Sequence, residues 1–312
     1  MIIVRLTSGL GNQMYQYNFY RLMKERYPDT VVKADISWFY VNNDHHGYEL
    51  DRIFNNSVAS DFCVEKATPA DVYRVTGQIP PLRLGMFAQL VNYGLGFVNR
   101  KLRERASYNK GGVYIDMLTG VNADLDVMNL DVSQDWYICG FWIEEKYYMK
   151  RINRTRRELQ FTEPEDSKNR KLLEEIDSTN SVSIHVRRGD YLSDTYSSKF
   201  KCLGREYYER AVAIISEKVT DPRFFIFSDD PDMIAKEFAW IPATIVTNNY
   251  GQYSYLDMQL MSRCKHNIIA NSTFSQWGAL LNKNEGHICI YPADYLKGED
   301  TEEKHMENWI RC

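Results

Sequence analysis

Beyond residue 180 the chain alternates between short apolar runs and segments of helical length. "SVSIHV", "RFFIFS", "ATIVTN", "HNIIA" and "HICIYP" read as strands, and "GREYYERAVAIISEKV", "DDPDMIAKEF", "SYLDMQLMSRC" and "STFSQWGALLN" as the helices between them. Parallel neighbours need crossovers of this length, so the pattern predicts a parallel sheet flanked by helices, a Rossmann-like domain. The amino-terminal end repeats the theme. "MIIVRL", the loop "TSGLGNQ", a helix through "MYQYNFYRLMKERYP" stopped at Pro28, and a strand "TVVKADIS" form a βαβ unit. Residues 43–135 carry turn signals but no firm period; order returns with the strand "WYICGFW" and the basic helix "EEKYYMKRINRTRREL". The polar "FTEPEDSKN" (161–169) reads as a linker. The expected architecture is α/β: two Rossmann-type domains, residues 1–160 and 161–312, with parallel sheets facing a cleft.

Bulk properties exclude several classes. With 312 residues, 44% hydrophobic and 26% charged, each half can hold a core. A formal net charge of −4 argues against a nucleic-acid partner. The six cysteines form no CxxC pair, which disfavours zinc and dithiol chemistry and suits a reducing compartment. The first residues lack the profile of a signal peptide, and no window is apolar enough to span a bilayer, so a soluble cytoplasmic protein is expected, with peripheral docking at the inner membrane left open. Tyrosine is abundant, with 22 residues, which suits sugar faces and leaves a homo-oligomer open.

Ligands of open parallel sheets bind beyond the carboxyl ends of the strands. Polar clusters fall there. "HVRRGDY" (185–191) ends a strand with His185, Arg187, Arg188 and Asp190. A guanidinium there can grip a phosphate bidentately, or pair with local carboxylates. In "SGLGNQ" (8–13), Gly9 and Gly11 let the backbone approach a ligand and Asn12 offers an amide, although Met14 stands where a dinucleotide fingerprint needs its third glycine. A tight turn with no ligand fits the same residues. In "FSDDPDM", one of Asp229 and Asp230 caps a helix beginning at Pro231, which leaves the other to accept hydrogen bonds from a purine. In "ANSTFSQWG", Asn271, Ser272, Thr273, Phe274 and Ser275 open a helix with more hydroxyls than a cap requires, as a phosphate site would. In "DHHGYEL" (44–50), adjacent His45 and His46 diverge and make a poor metal pair; an exposed loop is the expectation.

"GLGNQMYQY", "GFWIEEKYY", "HVRRGDY", "FSDD" and "LMSRCKHNIIANSTFSQWGALLN", in this order over residues 1–295, closely resemble the bacterial α-1,2-fucosyltransferases of glycosyltransferase family 11. The resemblance implies a GT-B-like fold with an acceptor-side first half and a donor-binding second half. It implies GDP-β-L-fucose as donor and a galactose-terminated oligosaccharide, free or lipid-linked, as acceptor. It also implies inversion to an α-1,2 linkage and no obligatory metal or cofactor. Carried over by residue, Arg187 grips the pyrophosphate while Arg188 and Asp190 shape the site. His185 lies against the guanosine, and Asp230 in preference to Asp229 reads the guanine. Ser272, Thr273 and Ser275 lie near the phosphates, Asn271 and Phe274 belong to the same donor site, and Asn12 faces the diphosphate. The last residues are free to pack back on the first domain. The chain departs from the family at Gln276 and Leu280–Leu281, where tryptophans are usual. Asp190 is the candidate base for the attacking hydroxyl. Two rivals remain from the residues alone. One is a nicotinamide oxidoreductase, for which Asp35 is the nearest acid to the ribose position; the other is a nucleotide-sugar-binding module without turnover.

Overall fold

In the computed structural model, residues 1–42, 46–55, 61–84, 88–105, 112–188, 202–293 and 309–312 are described. The chain divides into two compact units, Met1–Gln160 and Phe161–Cys312.

Unit 1 holds four parallel strands in the order β2-β1-β4-β3. These are β1 (Ile2–Arg5), β2 (Val32–Asp35), β3 (Gly112–Asp116) and β4 (Asp135–Cys139). Helix α1 (Leu10–Arg26) is buried on nearly every side: Met14, Tyr15, Tyr17, Phe19, Tyr20 and Met23 are at most 1% exposed. A helix buried all round needs no apolar stripe, which is why its sequence shows mixed rather than periodic polarity. Its polar residues are spent on loops. Gln16 donates to the Gly140 carbonyl and exchanges hydrogen bonds with Thr7, and Asn18 donates to the Tyr147 carbonyl. Trp142 lies back over Gly140, where a Cβ would meet its ring at 2.7 Å, and stacks on Phe19 at 3.8 Å between centroids. "GFW" is thus a packing device: only glycine admits that ring.

Two expectations for this unit change. The basic segment after β4 is not one helix. It breaks into α5 (Glu145–Tyr148), a 3₁₀ turn (Met149–Arg151) and α6 (Ile152–Glu158). The break turns Arg151 inward, its side chain 1% exposed, onto Glu158, Glu25 and Thr155; a buried guanidinium requires such partners. The unassigned stretch contains β3 together with α2 (Leu50–Phe54), α3 (Pro69–Thr76) and α4 (Ala88–Arg105).

Unit 2 begins with α7 (Ser167–Ser178), so the expected linker is already helical at its end, with Asp166 as the cap. Six parallel strands follow in the order β10-β9-β8-β5-β6-β7. They are β5 (Asn180–Val186), β6 (Pro222–Ser228), β7 (Ala243–Ile245), β8 (His266–Ile268), β9 (Cys289–Tyr291) and β10 (Ile310–Arg311). The crossovers carry α8 (Arg205–Lys218), α9 (Pro231–Glu237), α10 (Tyr255–Arg263) and α11 (Thr273–Leu280). Val182, Ile184 and Val186 of β5 pack with Ile226, Ile268, Ile290, Tyr208 and Ile215 in one core. A two-sided core of this kind explains the continuous apolar runs in the strands. The last described residues join the second sheet. Ile310 and Arg311 pair with Ile290 and Tyr291 and extend this sheet, because the edge of β9 offers unpaired backbone groups.

Candidate functional site

In unit 2 the strand order reverses at β5, with β6 and β7 on one side and β8, β9 and β10 on the other. Loops leaving neighbouring strands at such a point run in opposite directions and open a crevice at the carboxyl edge. The loops after β5 and β8 are those that carry "RRGD" and "NSTFS".

His185, the penultimate residue of β5, is 4% exposed. Burial, aided by the charge of Arg187, pushes its pKa down to about 3, so the ring is neutral. Its Nδ1 is buried with no hydrogen-bond partner among the described residues. Such an orphan costs about 1–3 kcal/mol unless a ligand meets it. The ring sits 5.7 Å from that of Phe274 across the switch point.

The two arginines have different tasks. Arg188 is buried and forks onto Glu237, with Nε donating to Oε2 at 3.1 Å and Nη2 to Oε1 at 2.5 Å. Its Nη1 donates to the Arg187 carbonyl, and its backbone N–H donates to Asp229 Oδ1 at 2.8 Å. Arg188 therefore shapes the loop. Arg187 Nη1 stands 3.1 Å from Asp229 Oδ2, with both side chains about a fifth exposed. This ion pair stays accessible to a competing anion.

The aspartate pair divides differently from expectation. Asp230 is the cap of α9 and accepts from Met233 N at 3.1 Å, because it directly precedes Pro231 at the first helical position. Asp229 is held by the two arginines. The carboxylate assigned to a guanine is thus the capping one, and neither stands uncommitted.

After β8, Asn271 is buried, and Ser272 occupies the cap position of α11 with extended backbone but without a side-chain cap. The first backbone N–H groups of α11 belong to Thr273, Phe274 and Ser275. A helix start that its own cap residue leaves unserved favours an anion. Ser275 departs from expectation: 1% exposed, its hydroxyl donates to the carbonyls of Ala270 and Ser272 and holds the turn. Gln276, Trp277 and Leu280 are buried core residues of the same helix, so the departures at Gln276 and Leu280–Leu281 fall on packing positions.

In unit 1, Gly9 caps α1 with extended backbone and no side-chain bond, Gly11 is buried in the first turn, and Asn12 is half-exposed. The residue that sequence reasoning missed is Gln13. Fully buried, it donates to the Ser8 and Gly47 carbonyls and accepts from Glu49 N, tying "GLGNQ" to "HGYEL". No sequence signal singles it out, because α1 mixes polar and apolar residues along its length. Asp35 does end β2, but its oxygens accept from Ser37 N and the Tyr137 hydroxyl. It is a structural acid. Asp190 and His45 lie outside the described residues. Among the described residues no three metal-ligating side chains converge.

Two α/β units with parallel sheets, one presenting a guanidinium, a buried imidazole and a helix start at its switch point, define a GT-B-like fold. The family model for glycosyltransferase family 11 matches residues 116–312. The chain belongs to that family. It is 30% identical to the O-antigen biosynthesis glycosyltransferase WbnK of Escherichia coli, over 98% of each chain. It is 29% identical to an alpha-1,2-colitosyltransferase of Escherichia coli, over 100% of this chain and 98% of the relative. In fold it matches NodZ alpha-1,6-fucosyltransferase soaked with GDP-fucose at TM-score 0.51, 15% identity, 90% of this chain and 91% of that one.

Proposed function

We propose that this glycosyltransferase moves L-fucose from GDP-β-L-fucose to the 2-hydroxyl of a terminal galactose, with inversion and without a metal. The observation that carries the reading is the crevice between the β5 and β8 loops: Arg187 on an exchangeable partner, the unserved start of α11, and neutral His185 with its orphan Nδ1. The first two suit a diphosphate, and the third a nucleoside.

Bond cleavage places negative charge on the departing diphosphate, and only contacts that strengthen then speed the reaction. Arg187 can exchange Asp229 for a phosphate oxygen as that charge grows. A charge-assisted hydrogen bond contributes about 1.5–3 kcal/mol, and one or two that tighten give roughly 10- to 10⁴-fold in rate. His185 stays neutral and leaves the local positive charge to Arg187 and the helix. Inversion requires one displacement, hence an acceptor for the sugar hydroxyl proton. We assign this role to Asp190, and Asp190→Asn should lower kcat by about 10²- to 10⁴-fold with GDP binding retained.

The test is GDP release from GDP-fucose in the presence of lactose and a panel of galactosides. No release with any of them, alongside GDP binding, would leave a binding module instead. Activity should survive EDTA; a loss restored by Mn²⁺ would reassign Asp229 and Asp230 as metal ligands. The full-length similarity to a colitosyltransferase favours one second reading, colitose as the transferred sugar. Comparing GDP-colitose with GDP-fucose at equal concentration decides it by the ratio of kcat/KM.

A further inference from the structure

Helix α4 is built inside out. Its least exposed described positions are Asn92, Leu95 and Asn99, a single stripe at i, i+3 and i+7. The two asparagines fasten that stripe to the preceding segment. Asn92 accepts from Leu82 N at 2.8 Å and donates to Leu82 O at 2.9 Å; two turns on, Asn99 does the same with Ile79 at 3.1 and 2.8 Å. Two amide clamps of this kind fix the rotation of the helix. The rotation they fix turns the apolar side chains to solvent: Leu90 is 75% exposed, Tyr93 82%, Phe97 49%, Val98 43% and Val91 40%. Ordinary surface helices do the reverse, and contiguous exposed apolar faces mark interaction sites.

The sequence of the helix supplies the sign of the partner. It ends Arg100, Lys101, Leu102, Arg103, Glu104, Arg105; four basic residues less one acidic give +3, in a chain whose net charge is −4. An apolar face with aromatic residues, followed by a basic end, fits an anionic lipid surface, where rings settle at the headgroup level and lysine and arginine meet phosphate. A second copy of the chain would bring the same positive surplus. With four basic residues in 18, and no described helix long and apolar enough to cross a membrane, the helix lies in the interface plane. We propose that α4 docks this glycosyltransferase on an anionic bilayer. The segment its asparagines grip continues into Pro80, Pro81, Leu82 and Arg83, which wall a cavity of about 180 Å³ beside Asp35, Ser37 and Tyr40 at the carboxyl end of β2. That segment therefore backs the face of α4 opposite the exposed apolar side chains.

The experiment is flotation of the full chain with phosphatidylcholine vesicles, pure or containing about 30% phosphatidylglycerol, at low and at high salt. Binding should require the anionic lipid and fall with salt. Leu90→Ser/Tyr93→Ser/Phe97→Ser should lose at least about tenfold in partition, while its circular dichroism and its turnover on a soluble acceptor match the parent. Lys101→Glu/Arg105→Glu, which keeps the apolar face, should lose a similar amount on anionic vesicles only. A parent that floats with neither vesicle, or a triple variant that floats as well as the parent, overturns the proposal. So does a parent dimer that the triple variant converts to monomer, because a second copy would then cover the face. None of these outcomes depends on which sugar is transferred.

Discussion

Both units end their sheets in a polar row, and the rows differ in what they leave unspent. In unit 1 the row crosses β2, β1, β4 and β3 as Asp35, Arg5, Cys139 and Asp116. Each carboxylate there is satisfied from within. Tyr137 donates to Asp35 at 2.5 Å; Tyr114, Leu118 N and Thr119 N donate to Asp116. Among the described residues of unit 2, an imidazole nitrogen has no partner, a helix start has no cap from its own N-cap side chain, and an arginine pairs where solvent can reach. Acids and bases at a carboxyl edge do not by themselves make a ligand site. An uncompensated group at the switch point adds a reason for one, since a ligand there can offset a cost of about 1–3 kcal/mol.

The largest effects should separate the two adjacent arginines. Arg187→Ala should cut kcat by about 10²- to 10³-fold with little change in Tm, as loss of a group that meets developing charge does. A turnover within threefold of the parent would remove Arg187 from the leaving-group role. Arg188→Ala should act on stability instead, because it strands Glu237 and removes the side-chain bond that braces the Arg187 carbonyl. Next in size, Asp35→Ala in unit 1 removes two hydrogen bonds to a buried acid. It should cost about 3 kcal/mol, or roughly 6–12 °C in Tm, with GDP affinity unchanged. A weakened GDP affinity at normal Tm would break the contrast between the rows.

How much of this was legible in the sequence follows from the same contrast. Unit 2 could be read strand by strand because its strands are buried on both faces and its crossovers are regular helices. Val182, Ile184 and Val186 announce themselves. In unit 1, α1 is buried all round and α4 is reversed by Asn92 and Asn99, so hydrophobic period carries no reliable message there. At the site, residue types gave the location but not the division of labour. That Asp230 caps, Asp229 pairs and Ser275 braces the turn depends on which neighbour each side chain reaches, and spacing does not encode that. Gln13 was invisible for a related reason: two of its partners, Gly47 and Glu49, lie in a loop 34 and 36 residues away.

A pH series sharpens the comparison through one buried acid in each unit. Burial pushes Glu49 of unit 1 up to about 7, against the pull of Arg52, and burial pushes Asp257 of unit 2 up to about 7, against the hydrogen bond from Asn249. Raised carboxyls favour the protonated fold. Their contribution is complete below the unfolded pKa near 4 and is lost as pH rises through 7. His185, lowered to about 3, acts oppositely: its contribution is present above about 6.5 and is lost as pH falls towards 3. Glu49→Gln and Asp257→Asn should each flatten the alkaline side of the stability profile, gaining about 2 kcal/mol over the parent at pH 8 and nothing at pH 4. Denaturant titrations at the two pH values check this.

The smallest effect tests the central distinction most directly, because it compares two serines three residues apart. Ser272 makes no side-chain cap, whereas Ser275 donates to two carbonyls of the same turn. Ser275→Ala should therefore cost about 1 kcal/mol of stability, a Tm lower by roughly 2–4 °C. Ser272→Ala should leave Tm where it is and weaken GDP binding by about three- to tenfold, the loss of one hydroxyl contact to an anion. Calorimetric titration with GDP, run beside thermal scans of both variants, reads the two quantities together. If Ser272→Ala lowered Tm and spared GDP, its hydroxyl would be serving the fold, and the edge of unit 2 would be as self-contained as that of unit 1.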